Sequence, residues 1–209
     1  MTTVKDRPAD GLAAARRAMI DSQLRVSGVN ADFVLTAVNS VPREDHVPAD
    51  ARALAYIDRA VPLGEGRFLA APLFYGRLLS EAAPTAQDKV LVVDGGSGYL
   101  PALVRTLGAA VAVTDPASAA ASAPGNGAFT LLLIDGAIEQ LPAGLAGSLA
   151  DEGRVATGTV ERGVTRLAVG RKAGGDVALL PIAEMVSYPV AFRPMQRRAE
   201  RGQLSGRPA

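Results

Sequence analysis

The sequence predicts an α/β protein built on a mostly parallel sheet, and three observations carry that reading. An apolar run, Lys89-Val-Leu-Val-Val93, ends abruptly in a glycine-rich turn, Asp94-Gly-Gly-Ser-Gly98, and then gives way to helical spacing. The run Val90 to Val93 has the continuous branched character of a strand buried on both faces, and apolar runs recur at Val111-Ala-Val113 and Leu131-Leu-Leu-Ile134. Near the C-terminus, Thr165 to Arg171 and Val177 to Tyr188 flank Ala173-Gly-Gly-Asp176, the pattern of an antiparallel hairpin at the sheet edge.

Taken in order, Leu12, Met19, Ile20 and Leu24 fall near one face of a first helix. Asn30 is placed to cap a second, in which Val34, Ala37, Val38 and Val41 recur at i, i+3, i+4 and i+7 and which Val41-Pro42 should end. From Pro42 to Pro72 the chain is punctuated by Pro48, Pro62, Gly64 and Gly66, so irregular backbone is expected to wrap the sheet. Beyond the glycine turn, Leu100, Leu103, Val104 and Leu107 mark a helix with Pro101 in its first turn, and Arg154-Val-Ala156 supplies another strand. These assignments make residues 1–195 a single domain, with a helical N-terminal cap over about 10–80 and a sheet core over 88–195. Residues 196–209 carry Arg197, Arg198, Arg201 and Arg207 against Glu200 and lack apolar periodicity, which predicts a disordered, solubilising tail.

Composition narrows the function classes. A chain of 209 residues that is 48% hydrophobic can bury one substantial core. It has no cysteine, so disulfides, thiol nucleophiles and cysteine metal sites are excluded. The sole histidine, His46, leaves a zinc site or a hydrolase triad short of parts, so no metal is expected and His46 is read as a packing residue. A formal net charge of +1 argues against nucleic acid as a partner. The polar start, Met1 to Asp10, and the charges at Arg16, Arg17 and Asp21 argue against export or a membrane span, and a cytoplasmic location is expected.

The candidate site is the turn itself. Gly95, Gly96 and Gly98 permit positive φ and close backbone approach, and the helix that follows is expected to aim unpaired N–H groups at a ligand lined by Asp94, Gly95, Gly96, Ser97 and Gly98. The match to G-x-G-x-x-G is poor because position 101 is proline, which disfavours a dinucleotide fold. Asp115, after the next strand, is placed to accept hydrogen bonds from ribose hydroxyls, which suits S-adenosylmethionine and NAD alike. Asp135-Gly136, at the end of another strand, is either a further ligand contact or a satisfied turn aspartate.

Four segments carry a family resemblance: Val41-Pro-Arg-Glu-Asp-His-Val-Pro48, Ala55-Tyr-Ile-Asp58, Val61-Pro-Leu-Gly64 with Gly66, and Ser97-Gly98-Tyr99. Over about Met19 to Met195 the chain resembles the protein-L-isoaspartate O-methyltransferase family. The resemblance implies a methyltransferase-like, Rossmann-type sheet of about seven strands with an antiparallel end and a family-specific cap. It implies S-adenosylmethionine as cofactor and isoaspartyl-containing proteins or peptides as partners in a repair reaction. There the isoaspartyl carboxylate takes a methyl group and the ester collapses to a succinimide. A carboxylate is ionised at pH 7, so such a site needs alignment and water exclusion more than a general base.

The chain departs from that family at defined places. Within Phe68-Leu-Ala-Ala-Pro72, Ala70 stands where the family's Thr-Ile-Ser-Gln-Pro-like segment has its positioning serine, so no catalytic residue is assigned. Losing that hydrogen bond costs about 1.5–3 kcal/mol, roughly ten to two hundredfold in rate. Val92 replaces an acidic residue, and Asp94 occupies the usual first glycine, where it would obstruct the cofactor or meet the ammonium of its methionine. Pro116 to Gly127 is too short for the family's helix, third strand and Gly-Asp-Gly-like loop, so this central segment is shortened. Val111 to Val113 should then be an exposed sheet edge open to a second copy. Arg43, Glu44, Tyr56 and Asp58 are expected to hold cap to sheet. Two readings stay open: an S-adenosylmethionine-dependent carboxyl methyltransferase of weak or altered activity, or a noncatalytic pseudoenzyme that binds or assembles.

Overall fold

The computed structural model describes residues 8–122 and 124–185. Helix α1 (Pro8–Met19) runs into a π turn, Ile20–Leu24, and a 3-10 turn, Arg25–Ser27, that stops at Gly28 with φ 83°. Met19, Ile20 and Leu24 are buried as their spacing predicts. Helix α2 (Asp32–Ser40) is capped by Ala31 rather than Asn30. The Ala31 carbonyl takes the first helical amides, those of Val34 and Leu35, and Asp32 in the first turn complements the dipole without a side-chain cap.

Between Pro42 and Pro72 the backbone is more regular than its prolines suggest. Two 3-10 segments, Arg43–His46 and Ala49–Leu54, precede an antiparallel hairpin of β1 (Val61–Gly64) and β2 (Arg67–Leu69). Its turn places Glu65 and Gly66 at φ 52° and 73°. Pro62 is tolerated because a two-stranded ribbon leaves strand edges on which a missing N–H costs nothing.

Helix α3 (Pro72–Ala82) leads into the main sheet, which strings together β3 (Lys89–Val93), α4 (Tyr99–Thr106), β4 (Ala110–Thr114), α5 (Pro116–Ala121), β5 (Phe129–Ile138), α6 (Ala143–Ser148), β6 (Leu149–Glu161), β7 (Val164–Ala173) and β8 (Asp176–Glu184). The strand order is β4-β3-β5-β6-β7-β8, with β4, β3, β5 and β6 parallel and β7 and β8 antiparallel. The sheet thus has six strands among the described residues, not about seven. The segment after β4 holds only the short α5, so β4 ends the sheet, with Val113 45% exposed. The predicted hairpin is β7 and β8, turning at Gly174-Gly175; its last expected residues, 186–188, and the tail, 196–209, lie outside the described residues.

Alternation along β3 and β5 explains their unbroken apolar runs. Val90, Val92, Leu131 and Leu133 face the cap, where they join Leu24, Val34, Leu69, Phe74, Tyr75 and Leu78 in one buried cluster. Leu91, Val93, Leu132 and Ile134 face the other way onto Ala119 of α5 and Leu145 of α6. At the N-terminal end of the sheet, Asp88 accepts from Arg154 Nη2 at 2.8 and 2.9 Å, from the Thr130 hydroxyl at 2.7 Å and from the Thr85 amide at 2.8 Å. That knot ties the starts of β3, β5 and β6 together.

Candidate functional site

Strand order reverses at β3. Helix α4 carries the chain outward to β4, and α5 carries it back past β3 to β5, so a crevice opens outside the carboxyl ends of β3 and β5. Asp94 to Gly98 form the turn at that point, Asp115 follows β4 beside it, and Asp135 comes from β5. The fold therefore brings the predicted residues to one end of the sheet.

The turn is organised by its own first residue. The Asp94 amide donates to the Thr114 carbonyl at 2.9 Å, and its carboxylate accepts from the amides of Gly96 at 3.1 Å and Gly98 at 3.0 Å. The Tyr99 amide donates to the Ser97 hydroxyl at 3.1 Å. Three of the N–H groups expected to stand unpaired in the crevice, those of Gly96, Gly98 and Tyr99, are therefore taken by side chains of the turn. Gly96 and Gly98 lie at φ 103° and 69°, which a side chain would strain, and a Cβ at Gly95 would sit 2.8 Å from the Asp135 carbonyl. Only glycine lets the turn seat against β5.

Asp135 is 5% exposed and sits at an irregularity within β5, between Leu133 and Ala137, rather than at the strand end. Ser97 Oγ donates to it at 3.4 Å, and the Tyr75 hydroxyl hydrogen-bonds to it from α3. Burial, with the Asp94 charge second, pushes its carboxyl up to about 7. Burial also raises Asp94, although the Gly98 and Gly96 amides oppose the change. Asp115 is exposed and caps α5, accepting from the amides of Ala117 at 3.0 Å and Ser118 at 2.9 Å and from the Ser118 hydroxyl at 2.6 Å. The Ser118 hydroxyl and amide hold its carboxyl below the ordinary value.

The cap supplies the floor of the crevice. Arg43 is fully buried, donates from Nε to the Ala55 carbonyl at 2.6 Å and from Nη2 to the Ala70 carbonyl, and stacks 5.6 and 5.3 Å from the Tyr75 and Tyr99 ring centres. Burial pulls its guanidinium down from the ordinary range. Glu44 accepts from the Tyr56 hydroxyl and from Arg16 at 3.1 Å, bonds that lie within the cap, so of the four residues expected to tie cap to sheet only Arg43, stacked on Tyr99, is seen to reach the sheet core; Asp58 is exposed, outside this network. Ala70 is buried, and its amide donates to the Tyr75 hydroxyl at 3.3 Å. His46 packs on the turn, Nδ1 lying 2.9 Å from the Ser97 carbonyl and its ring edge-on to Tyr99.

Two residues of the site escaped the sequence reading. Tyr75 links Ala70 to Asp135, and its one signal was a hydroxyl on an otherwise apolar face of α3. Arg67 of β2 lies across the turn, its Cδ 2.9 Å from where a Cβ of Gly96 would be. Among the described residues no cluster of acidic and histidine side chains could hold a metal ion.

Comparison with known proteins converges on one group. Residues 14–118 match the family model of protein-L-isoaspartate(D-aspartate) O-methyltransferase. A Gloeobacter violaceus protein-L-isoaspartate O-methyltransferase is 30% identical over 207 residues, covering 86% of this chain and 97% of the relative. The Aeropyrum pernix protein of that name is 44% identical over 102 residues, which is 48% of this chain and 39% of its own length. Among solved structures, a Plasmodium falciparum chain described as a protein-L-isoaspartate O-methyltransferase, in complex with S-adenosyl-L-homocysteine, superposes with a TM-score of 0.67 at 16% identity, covering 85% of this chain and 99% of that one.

Proposed function

Because this chain belongs to the protein-L-isoaspartate O-methyltransferase family, we propose that it transfers a methyl group from S-adenosylmethionine to the carboxylate of isoaspartyl residues in damaged proteins and peptides. The observation that carries the reading is the glycine turn at the strand-order reversal, seated on β5 through Gly95. The residues present fit the cofactor. Asp94 offers a carboxylate to the methionine ammonium, Gly95, Gly96, Ser97 and Gly98 bring the turn's main chain to the cofactor with Gly95 seated on β5 and Gly96 beneath Arg67, Asp115 is open to ribose hydroxyls, and Asp135 adds a second carboxyl.

When bound, the cofactor supplies an electrophilic methyl group. The protein supplies surroundings. Tyr75, Tyr99 and Arg43 form a buried floor that excludes water, and the main chain held at Ala70 borders the acceptor side. An ionised carboxylate needs no proton removed, so the absence of an assigned general base is consistent with this chemistry. Cap and sheet act as one unit, a reading supported by the buried cluster they share among the described residues. The noncatalytic alternative has no observation of its own in its favour.

Further features complete the proposal. The uncharged edge strand Ala110–Thr114 pairs with a second copy, so light scattering should give a dimer, and a monomer at high concentration rejects that arrangement. The protein works in the cytoplasm without nucleic-acid or membrane partners, supported by its near-neutral charge and by the lack, among the described residues, of a helix long and apolar enough to cross a membrane. Titration calorimetry with S-adenosylmethionine and S-adenosylhomocysteine, followed by methyl transfer to an isoaspartyl peptide, tests the whole. Micromolar binding and turnover are expected; no binding at millimolar ligand sinks the reading.

A further inference from the structure

The cap lays a guanidinium across the glycine turn. Arg67 of β2 reaches over Gly96, its Cδ, Nη1 and Nε lying 2.9, 3.0 and 3.6 Å from where a Cβ of that glycine would stand. The bare backbone of Gly96 admits it. On the same turn the Asp94 carboxylate accepts from the Gly96 and Gly98 amides, and the Arg67 charge acts on it. Three basic side chains of the cap come near this turn, and two are committed. Arg43 is buried and held by the Ala55 and Ala70 carbonyls, and His46 directs Nδ1 at the Ser97 carbonyl, 2.9 Å away. Arg67 is half-exposed. Its partner, Glu65 at 3.1 Å, is 80% exposed, so water screens the pair and a ligand anion can exchange for Glu65 at little cost.

We propose that Arg67 binds the carboxylate of the cofactor's methionine group, so that Arg67 and Asp94 hold the amino-acid zwitterion by both of its charges. This inference rests on the function proposed above, which sets Asp94 on the ammonium. An α-amino acid carries both charges on one carbon, so a site that meets both needs an acid and a base within the same few residues. Arg67 over Gly96 and Asp94 beside it meet that requirement. A guanidinium also offers a carboxylate paired N–H donors in a fixed plane, which orients the group as well as attracting it. Arg67 is thus a positioning residue: it fixes the methionine end of the cofactor and does not touch the reacting sulfur. Both charges survive methyl transfer, so donor and product are held alike.

Calorimetry with three ligands tests the assignment: S-adenosylmethionine, S-adenosylhomocysteine, and S-adenosylmethionine lacking only its carboxyl group. Arg67→Gln should weaken the first two by about tenfold, the value of one charge-assisted hydrogen bond at a half-exposed site, and leave the third bound at least as tightly as before. Glu65→Gln releases Arg67 from its partner and should tighten the first two by up to about fivefold. Both side chains face solvent, so both variants should keep native circular dichroism. Equal effects of Arg67→Gln on all three ligands, or none on any, overturn the assignment and leave the methyltransferase reading standing. So does a raised KM for the isoaspartyl peptide at unchanged cofactor affinity, which would put Arg67 on the acceptor. Failure of both S-adenosylmethionine and S-adenosylhomocysteine to bind the unmutated protein overturns both.

Discussion

Arg43 donates from its buried guanidinium to the carbonyl of Ala70, 27 residues along the chain. The same side chain reaches Ala55 and stacks on Tyr75 and Tyr99, so one cation fixes the backbone of the cap, the floor of the crevice and the start of the glycine-turn helix together. Ala70 is consequently held in register even though its side chain has no polar group to offer. The main chain at Ala70, where the resemblance puts the family's serine, is thus fixed while its side chain carries no oxygen.

Restoring that oxygen should raise activity. Ala70→Ser adds a hydroxyl at a buried position beside the Tyr75 hydroxyl, and a recovered hydrogen bond to a charged acceptor is worth about 1.5–3 kcal/mol, tenfold or more in kcat. Turnover of an isoaspartyl peptide measures it, with cofactor affinity unchanged. Equal or lower turnover would show that the acceptor is aligned elsewhere.

Asp135 makes stability depend on pH in a defined direction. Its carboxyl titrates at about 7 in the fold and at 3.8 ordinarily, so between those values the folded state binds more protons than the unfolded one and stability falls as pH rises. Asp135→Asn removes this penalty. It should stabilise the protein by roughly 1–3 kcal/mol at pH 8 and leave it nearly unchanged at pH 3, below both values, read by urea denaturation. A variant weaker than the parent at pH 8 contradicts the assignment.

The knot at the opposite end of the sheet has the opposite sign. Burial alone would raise Asp88, but hydrogen bonds from Thr130, Thr85 and Arg154 outweigh it and hold the carboxyl below 3.8. Its stabilisation is complete above that value and is lost as pH falls through the depressed one. Asp88→Asn should cost about 1–3 kcal/mol at pH 7 and almost nothing at pH 2, with denaturant midpoints as the readout. A constant difference across that range would assign the loss to packing.

Asp115 joins a structural role to a proposed binding role, and two variants separate them. Asp115→Asn keeps an oxygen for the α5 amides and removes the charge; Asp115→Ala removes both. If Asp115 accepts from ribose hydroxyls, both variants should weaken S-adenosylmethionine binding, on the order of tenfold for one charged hydrogen bond. Unaltered affinity in both would restrict Asp115 to capping.

The parts of the fold legible in sequence were those governed by local periodicity. The runs ending at Val93 and Ile134 and the hairpin around Gly174 follow from side-chain alternation and turn chemistry, which neighbours along the chain largely settle. The hairpin of β1 and β2 was hidden because its strands are four and three residues long and one contains proline. Asp94 bonding to amides two and four residues ahead is an Asx-type arrangement, so its signal was present in Asp94-Gly-Gly-Ser-Gly98. Tyr75 meeting Asp135 was not, because it depends on how α3 lies across β5.

The abbreviated crossover between β4 and β5 makes this chain a natural acceptor for a graft. Ala119 is the one buried residue of α5, Gly125 and Gly127 turn at positive φ, and the outer flank of β4 has no strand beside it among the described residues. Closure entropy grows only slowly with loop length, so a transplanted strand and loop would meet little resistance from the core. A close relative's missing piece can in principle be spliced in as a cassette, with everything from Arg43 to Asp135 left untouched.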